Sequence, residues 1–296
     1  MMRLLATTVI SSLLLGAAAL PASAQIGCGV SASNKANGMA SAKCLVEKAS
    51  LTNAPKDASV AAKAAALSDA LSSSAVTRSQ AFVANYRKAT AKGSPTLILL
   101  HGSGGNETSL MDLASKVAPG AALLGIRGRV VQDGINRWYK RVTPTTFDQD
   151  DIRSEANAFA KFMATAQKDY GIDPNNAIYL GYSNGANLLA ALSFLHPDLV
   201  QRAALLRPMM VLKTLPNVNL AKDSILAVAG KDDATYGSFA PGLADALRSQ
   251  GAEVVGQTVE LGHLLGDADV GVVKTWLASF QGEQELPVAT ASASAE

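Results

Sequence analysis

From about residue 95 to residue 281 the chain alternates two hydrophobic patterns. Thr96-Leu-Ile-Leu-Leu100 is apolar almost without interruption, which predicts a strand buried on both faces. Ala121–Ile126, Ala177–Gly181, Ala203–Leu206, Ser224–Ala229 and Glu253–Leu261 read as further strands. Between them, apolar residues recur every three or four positions. Leu110, Leu113, Ala114 and Val117 predict a helix capped by Asn106. Ile152, Ala156, Phe159 and Met163 predict a long helix that begins at Asp148 and stops at Gly171. Asn184–Leu195, Leu243–Ser249 and Val270–Phe280 complete the set. Strand-helix alternation of this kind predicts an α/β fold, a mainly parallel sheet with helices on both faces. In such sheets the chemistry gathers on loops at the carboxyl ends of the strands.

The flanks read differently. Arg3 opens the chain, Leu4 to Leu20 is apolar or small, and Pro21 precedes Ala22-Ser23-Ala24. This is the pattern of a signal peptide cleaved after Ala24, too short and wrongly flanked for a membrane span. The expectation is an exported, periplasmic or secreted protein with no stable membrane insertion once the leader is gone. Residues 25–75 form an Ala- and Ser-rich extension with a helical stretch near Ser59–Ser72. An oxidising compartment would join Cys28 to Cys44, the two cysteines of the chain. The catalytic domain is read as residues 76–282, and residues 283–296 as a low-complexity disordered tail.

Composition narrows the function. At 48% hydrophobic and 17% charged, the 296-residue chain is globular rather than disordered. A net charge of +2 without a basic, aromatic-studded stripe argues against nucleic acid as a partner. Three His and two Cys do not build a multi-ligand zinc site, so neither metal nor other cofactor is expected.

Three loops hold the candidate chemistry. Gly181-Tyr-Ser183-Asn-Gly185 lies between a predicted strand and a predicted helix, the setting of a nucleophile elbow. The sharp turn exposes the Ser183 hydroxyl, and the flanking glycines avoid clashes. His101-Gly-Ser103-Gly-Gly105 follows the first strand and carries neither a Walker lysine nor a full G-x-G-x-x-G. Such a turn can aim a backbone N–H at an oxyanion, which assigns Ser103 and Asn184 as donors. The base follows by elimination: His101 shapes its loop and His196 ends a helix. His263, after the last strand, stands where the order Ser, acid, His puts the base. The acid falls in Gly230-Lys-Asp232-Asp233, and spacing does not choose between the two carboxylates. Trp138 and Tyr139, in the segment Arg127–Tyr139, are candidates both for the pocket wall and for the core.

The stretch from Pro95 to Gln281 resembles the phospholipase/carboxylesterase family of α/β-hydrolases, small esterases related to acyl-protein thioesterases. The strings that carry the likeness are Leu99-Leu-His-Gly-Ser-Gly-Gly-Asn106, Ile178-Tyr-Leu-Gly-Tyr-Ser-Asn-Gly-Ala-Asn187, Leu205-Leu-Arg-Pro-Met209 and Leu261-Gly-His263. Asn136-Arg-Trp-Tyr-Lys-Arg141 and Phe147-Asp-Gln-Asp-Asp151 add to it. The resemblance implies an α/β-hydrolase fold and a Ser-His-Asp triad that forms an acyl-enzyme. It favours Asp233, three residues past Gly230, although Ala234-Thr-Tyr236 replaces the family's usual Pro and apolar residue. The substrate implied is a small or medium carboxylic ester. A thioesterase or peptidase with the same triad, or a binding protein on the hydrolase fold, are the alternatives. The sequence carries no signal for oligomeric state.

Overall fold

The computed structural model describes residues 75–283. The leader, most of the extension with Cys28 and Cys44, and nearly all of the tail lie outside the described residues. The elements in order are β1 (Val76–Arg78), β2 (Val83–Arg87), β3 (Thr96–Leu100), α1 (Met111–Val117), β4 (Ala122–Arg127), β5 (Val130–Gln132), β6 (Ile135–Arg137), β7 (Arg141–Thr143) and β8 (Thr146–Phe147). There follow α2 (Gln149–Tyr170), β9 (Ala177–Tyr182), α3 (Asn184–Leu195), β10 (Arg202–Leu206), β11 (Ser224–Gly230), α4 (Phe239–Ser249), β12 (Glu253–Val259) and α5 (Asp267–Glu283).

Seven strands form the main sheet in the order β12-β11-β10-β9-β3-β4-β2. Every pairing is parallel except that of β2 with β4. The alternation of side chains along each strand divides the core in two. Ile98, Leu100, Leu124, Ile126 and Tyr179 face the layer of α2, α3 and α4. Leu97, Leu99, Leu123, Ile178 and Leu180 face the layer of α1 and α5. Both faces are covered, which is why β3, β9 and β10 carry continuous apolar runs. Helix α3 is buried on all sides, whereas the expected stripe of α2 buries Ile152, Ala156, Phe159 and Met163.

Predicted and observed boundaries agree within a few residues, and of the two expected N-caps one fails and one holds. Asn106 does not cap α1. Its Oδ1 accepts the Thr108 N–H in a local turn, and the helix begins at Met111 without a side-chain cap. Asn side chains favour such turns over helix interiors. Asp148 does cap α2, accepting the Asp151 N–H at 3.1 Å, and Gly171 ends it with φ 65°.

Strands β1, β5 and β6 form a second, antiparallel sheet absent from the periodic pattern. β5 and β6 meet across Asp133-Gly134, whose φ values of 54° and 75° suit a tight two-residue hairpin. Ion pairs hold this sheet to α2: the buried Glu155 receives Arg78 at 2.7 Å and Arg129 at 2.9 Å. Among the described residues no helix is long and apolar enough to cross a membrane.

Candidate active site

Strand β9 runs straight into α3 through Ser183, whose φ of 49° and ψ of −113° are unusual for a residue with a side chain. Such backbone strain costs about 1–3 kcal/mol and survives where the surroundings fix it. Here the Ser183 N–H donates to Leu206 O at 2.8 Å, tying the turn to the end of β10. At Gly185 a Cβ would lie 2.2 Å from Leu100 O and 2.6 Å from His101 O, so only glycine lets α3 approach the end of β3.

The Ser183 hydroxyl points at an imidazole 80 residues away. Its Oγ lies 3.0 Å from His263 Nε2. On the other side of the ring, Nδ1 lies 2.6 Å from Asp233 Oδ2. The remaining oxygen, Oδ1, accepts the Tyr236 N–H at 3.0 Å. Asp233 is buried, while Asp232 is exposed and is held through its backbone, its N–H donating to Leu261 O and its carbonyl accepting the Ala234 N–H. The choice that spacing leaves open thus falls on Asp233 in space. Burial works to raise the Asp233 pKa, but the His263 hydrogen bond and the Tyr236 and Thr235 N–H groups outweigh it. The net direction is down, so the carboxyl stays ionised.

The His263 loop is itself held. Tyr182 Oη donates to His263 O at 3.0 Å, and the Tyr236 ring lies 4.9 Å from the imidazole. Arg207, at the end of β10, donates from Nε to Gly262 O at 2.8 Å and from Nη1 to Asp269 at 2.8 Å. Both members of that ion pair are fully buried. In the sequence Arg207 stands out only as part of a string, and Asp269 does not stand out at all. A charge pair 62 residues apart has no local signature.

The Gly-rich loop after β3 stands across the same rim. Gly104 N–H donates to Asn136 O at 2.8 Å, and Asn136 Nδ2 to Gly105 O at 2.9 Å, so β6 clamps the turn. Ser103 is exposed on its crest and lines a narrow cleft with Ser183 and Asn184. The backbone N–H groups of Ser103 and Asn184 donate to no acceptor among the described residues. An Asn184 amide without a partner is what the first position of a helix leaves.

The other two histidines serve the frame. His101 is buried, its Nδ1 donates to Gly102 O at 2.6 Å, and Nε2 accepts the Gly128 N–H at 3.0 Å. Burial lowers its pKa and keeps it neutral. His196 ends α3, with Nε2 2.9 Å from Asn157 Oδ1.

Trp138 and Tyr139 do not wall the cleft. Both are fully buried, and Trp138 Nε1 donates to His101 O at 2.8 Å while its N–H donates to Asn184 Oδ1 at 2.8 Å. The adjacent residue, Arg137, lines the cleft instead, along with Arg141, Tyr236 and Met209. Arg137 is the last residue of β6, and the chain bends just beyond it, where Trp138 is buried in the core. The signal that could have found this is the Asp133-Gly134 dipeptide between Val130-Val-Gln132 and Ile135-Asn-Arg137. Among the described residues no three His, Cys, Asp or Glu side chains gather where a metal ion could be held.

The chain resembles several known proteins. It is 43% identical to a crystal structure of a carboxylesterase from Mesorhizobium loti, with a TM-score of 0.65, covering 69% of this chain and 98% of that one. A Bacillus cereus carboxylesterase structure is 32% identical at the same TM-score, over 68% of this chain and 95% of its own. A putative hydrolase, MhqD, of Bacillus subtilis strain 168 is 35% identical over 148 residues, half of this chain and 73% of the relative. No protein-family model matches the sequence. With relatives this similar aligned over most of their length, and with an α/β sheet that carries an elbow serine, the chain belongs to the phospholipase/carboxylesterase family of α/β-hydrolases.

Proposed function

We propose that the protein hydrolyses carboxylic esters of small or medium size through an acyl-enzyme on Ser183. The observation that carries this reading is the unbroken chain of contacts from Ser183 Oγ to His263 at 3.0 Å and on to Asp233 at 2.6 Å. Neutral His263 takes the Ser183 proton at Nε2 as the hydroxyl oxygen attacks the ester carbonyl. Asp233 keeps the Nδ1 proton in place and stabilises the imidazolium. The free N–H groups of Ser103 and Asn184 receive the oxyanion, where one donor is worth about 3 kcal/mol of barrier. His263 then protonates the departing alcohol, and water repeats the sequence to release the acid. The Ser183 proton leaves with the alcohol and a proton from water restores the hydroxyl, so the cycle consumes only ester and water.

The likeness to two carboxylesterases supports ester over other acyl substrates. The narrowness of the cleft beside Ser183 supports a short acyl chain. Matched ester, thioester and amide substrates with one acyl group test the assignment. The ester is expected to have the highest kcat/KM, and Ser183→Ala to abolish turnover of all three. A thioester faster than the ester would reassign the enzyme as a thioesterase. The leader-like Arg3–Ala24 segment supports export, with Cys28 joined to Cys44; an amino terminus at Gln25 in secreted material is the expected result.

A further inference from the structure

Two guanidinium groups stand beside Ser183 without a carboxylate among the described residues to match them. Arg137 is only 3% exposed, yet it makes no ion pair among the described residues. Its Nη1 donates to Ser103 Oγ at 2.9 Å, while its Nε is buried with no partner among the described residues. Arg141 lines the same cleft, and its backbone is pinned on both sides by the Gln132 amide, at 2.9 Å and 2.8 Å. No hydrogen bond or ion pair holds the Arg141 side chain within the described residues. The two cations repel one another, and Asp133, exposed at the hairpin tip, is the acid whose field reaches Arg137.

A third arginine of the same cleft is neutralised: the fully buried Arg207 has Asp269 at 2.8 Å. Buried charge is normally paired because removal from water is costly. A purely structural donor to Ser103 Oγ would not need a guanidinium with an orphaned Nε. The fork geometry of arginine suits a carboxylate or phosphate.

We infer that Arg137 and Arg141 form an anion subsite, and that the preferred substrates are esters carrying a carboxylate a few bonds from the scissile carbonyl. This rests on the Ser183 reading above and adds a substrate class to it. The anion would complete the hydrogen bonding of Arg137 and offset the repulsion between the two cations. It would also anchor the ester within reach of Ser183. A neutral ester of the same length would leave the pair as it stands.

Two matched pairs of substrates test the inference on the full-length protein. The p-nitrophenyl monoester of glutaric acid against p-nitrophenyl pentanoate puts the anion on the acyl side. 4-Acetoxybenzoate against 4-acetylphenyl acetate puts it on the leaving group. In at least one pair the anionic member should have kcat/KM about tenfold or more above its neutral partner, the effect of roughly one charge-assisted hydrogen bond. Arg141→Gln should cut that preference about tenfold, acting mainly through KM. Glutarate and inorganic phosphate, titrated calorimetrically into Ser183→Ala, separate a carboxylate site from a phosphate site without turnover. Glutarate should bind, and more weakly once Arg141→Gln is added.

No anionic preference in either pair, an undiminished preference in Arg141→Gln, or phosphate binding in place of glutarate would each overturn the inference. Hydrolysis of p-nitrophenyl pentanoate by Ser183→Ala at the parent rate is a different failure, that of the nucleophile. Arg141→Gln is the primary variant because Arg141 is half-buried, whereas replacing the buried Arg137 would disturb the Ser103 loop.

Discussion

Replacing Asp233 by Asn exploits the asymmetry of its two oxygens. Oδ1 accepts the Tyr236 N–H at 3.0 Å, a position that only an acceptor can fill. The introduced amide would therefore keep its oxygen there and turn its NH2 toward His263 Nδ1, where Oδ2 now sits at 2.6 Å. A donor facing Nδ1 forces the imidazole proton onto Nε2, which then faces Ser183 Oγ as a donor and not as a base. The wrong tautomer, with no carboxylate to stabilise the imidazolium, costs about 10³- to 10⁴-fold in kcat. That corresponds to about 4–5 kcal/mol of barrier. The fold should be spared, since the two side chains are isosteric. The assay is steady-state hydrolysis of p-nitrophenyl acetate with urea unfolding run in parallel. Asp232→Asn is the control and should change kcat less than about twofold, as an exposed side chain away from such features. An Asp233→Asn enzyme within tenfold of the parent, with the parent's stability, would refute the tautomer argument.

Three further substitutions probe the frame. Asp269→Asn leaves the fully buried Arg207 without its counter-charge and should lower unfolding free energy by about 3–5 kcal/mol in urea; a loss under about 1 kcal/mol would mean that water reaches the pair. Gly185→Ala should destabilise by about 2–3 kcal/mol and reduce activity, because the new methyl meets the backbone oxygens of Leu100 and His101; full activity would contradict the close approach. Burial, with Asp198 adding to it, pushes the Asp223 carboxyl up to about 7, and its Oδ2 has no hydrogen bond among the described residues. The unfolded chain ionises this group near pH 4, so its share of stability is complete below that and is lost as pH rises through 7. Asp223→Asn should thus gain about 1–2 kcal/mol at pH 8, a figure discounted for partial solvent screening, and little at pH 4; equal shifts at both pH values would contradict this.

The main sheet was legible because burial on both faces leaves unbroken apolar runs in β3, β9 and β10, and the helices between them are long enough to show their period. Ser183 was legible for the same reason, since its elbow is defined by the strand before it and the helix after it. The acid was legible only through the family likeness, which favours Asp233; spacing left its neighbour Asp232 open, because it is the turn closed by the Tyr236 N–H that turns one of them inward. Strands β5 to β8 are two or three residues long, too short for a period-two pattern to emerge. Arg137 was hidden by its aromatic neighbours, which look more like a pocket wall than a charged residue does. Tertiary packing reversed those roles, sending Trp138 into the core and the guanidinium into the cleft.

The direct test of the central claim is covalent trapping with a fluorophosphonate followed by peptide mapping. One adduct is expected, on the peptide containing Ser183, formed rapidly in the parent protein and lost in His263→Ala, which retains the hydroxyl but not the base. Ester hydrolysis that continues while Ser183 stays unmodified, or an adduct on another residue, would contradict the account.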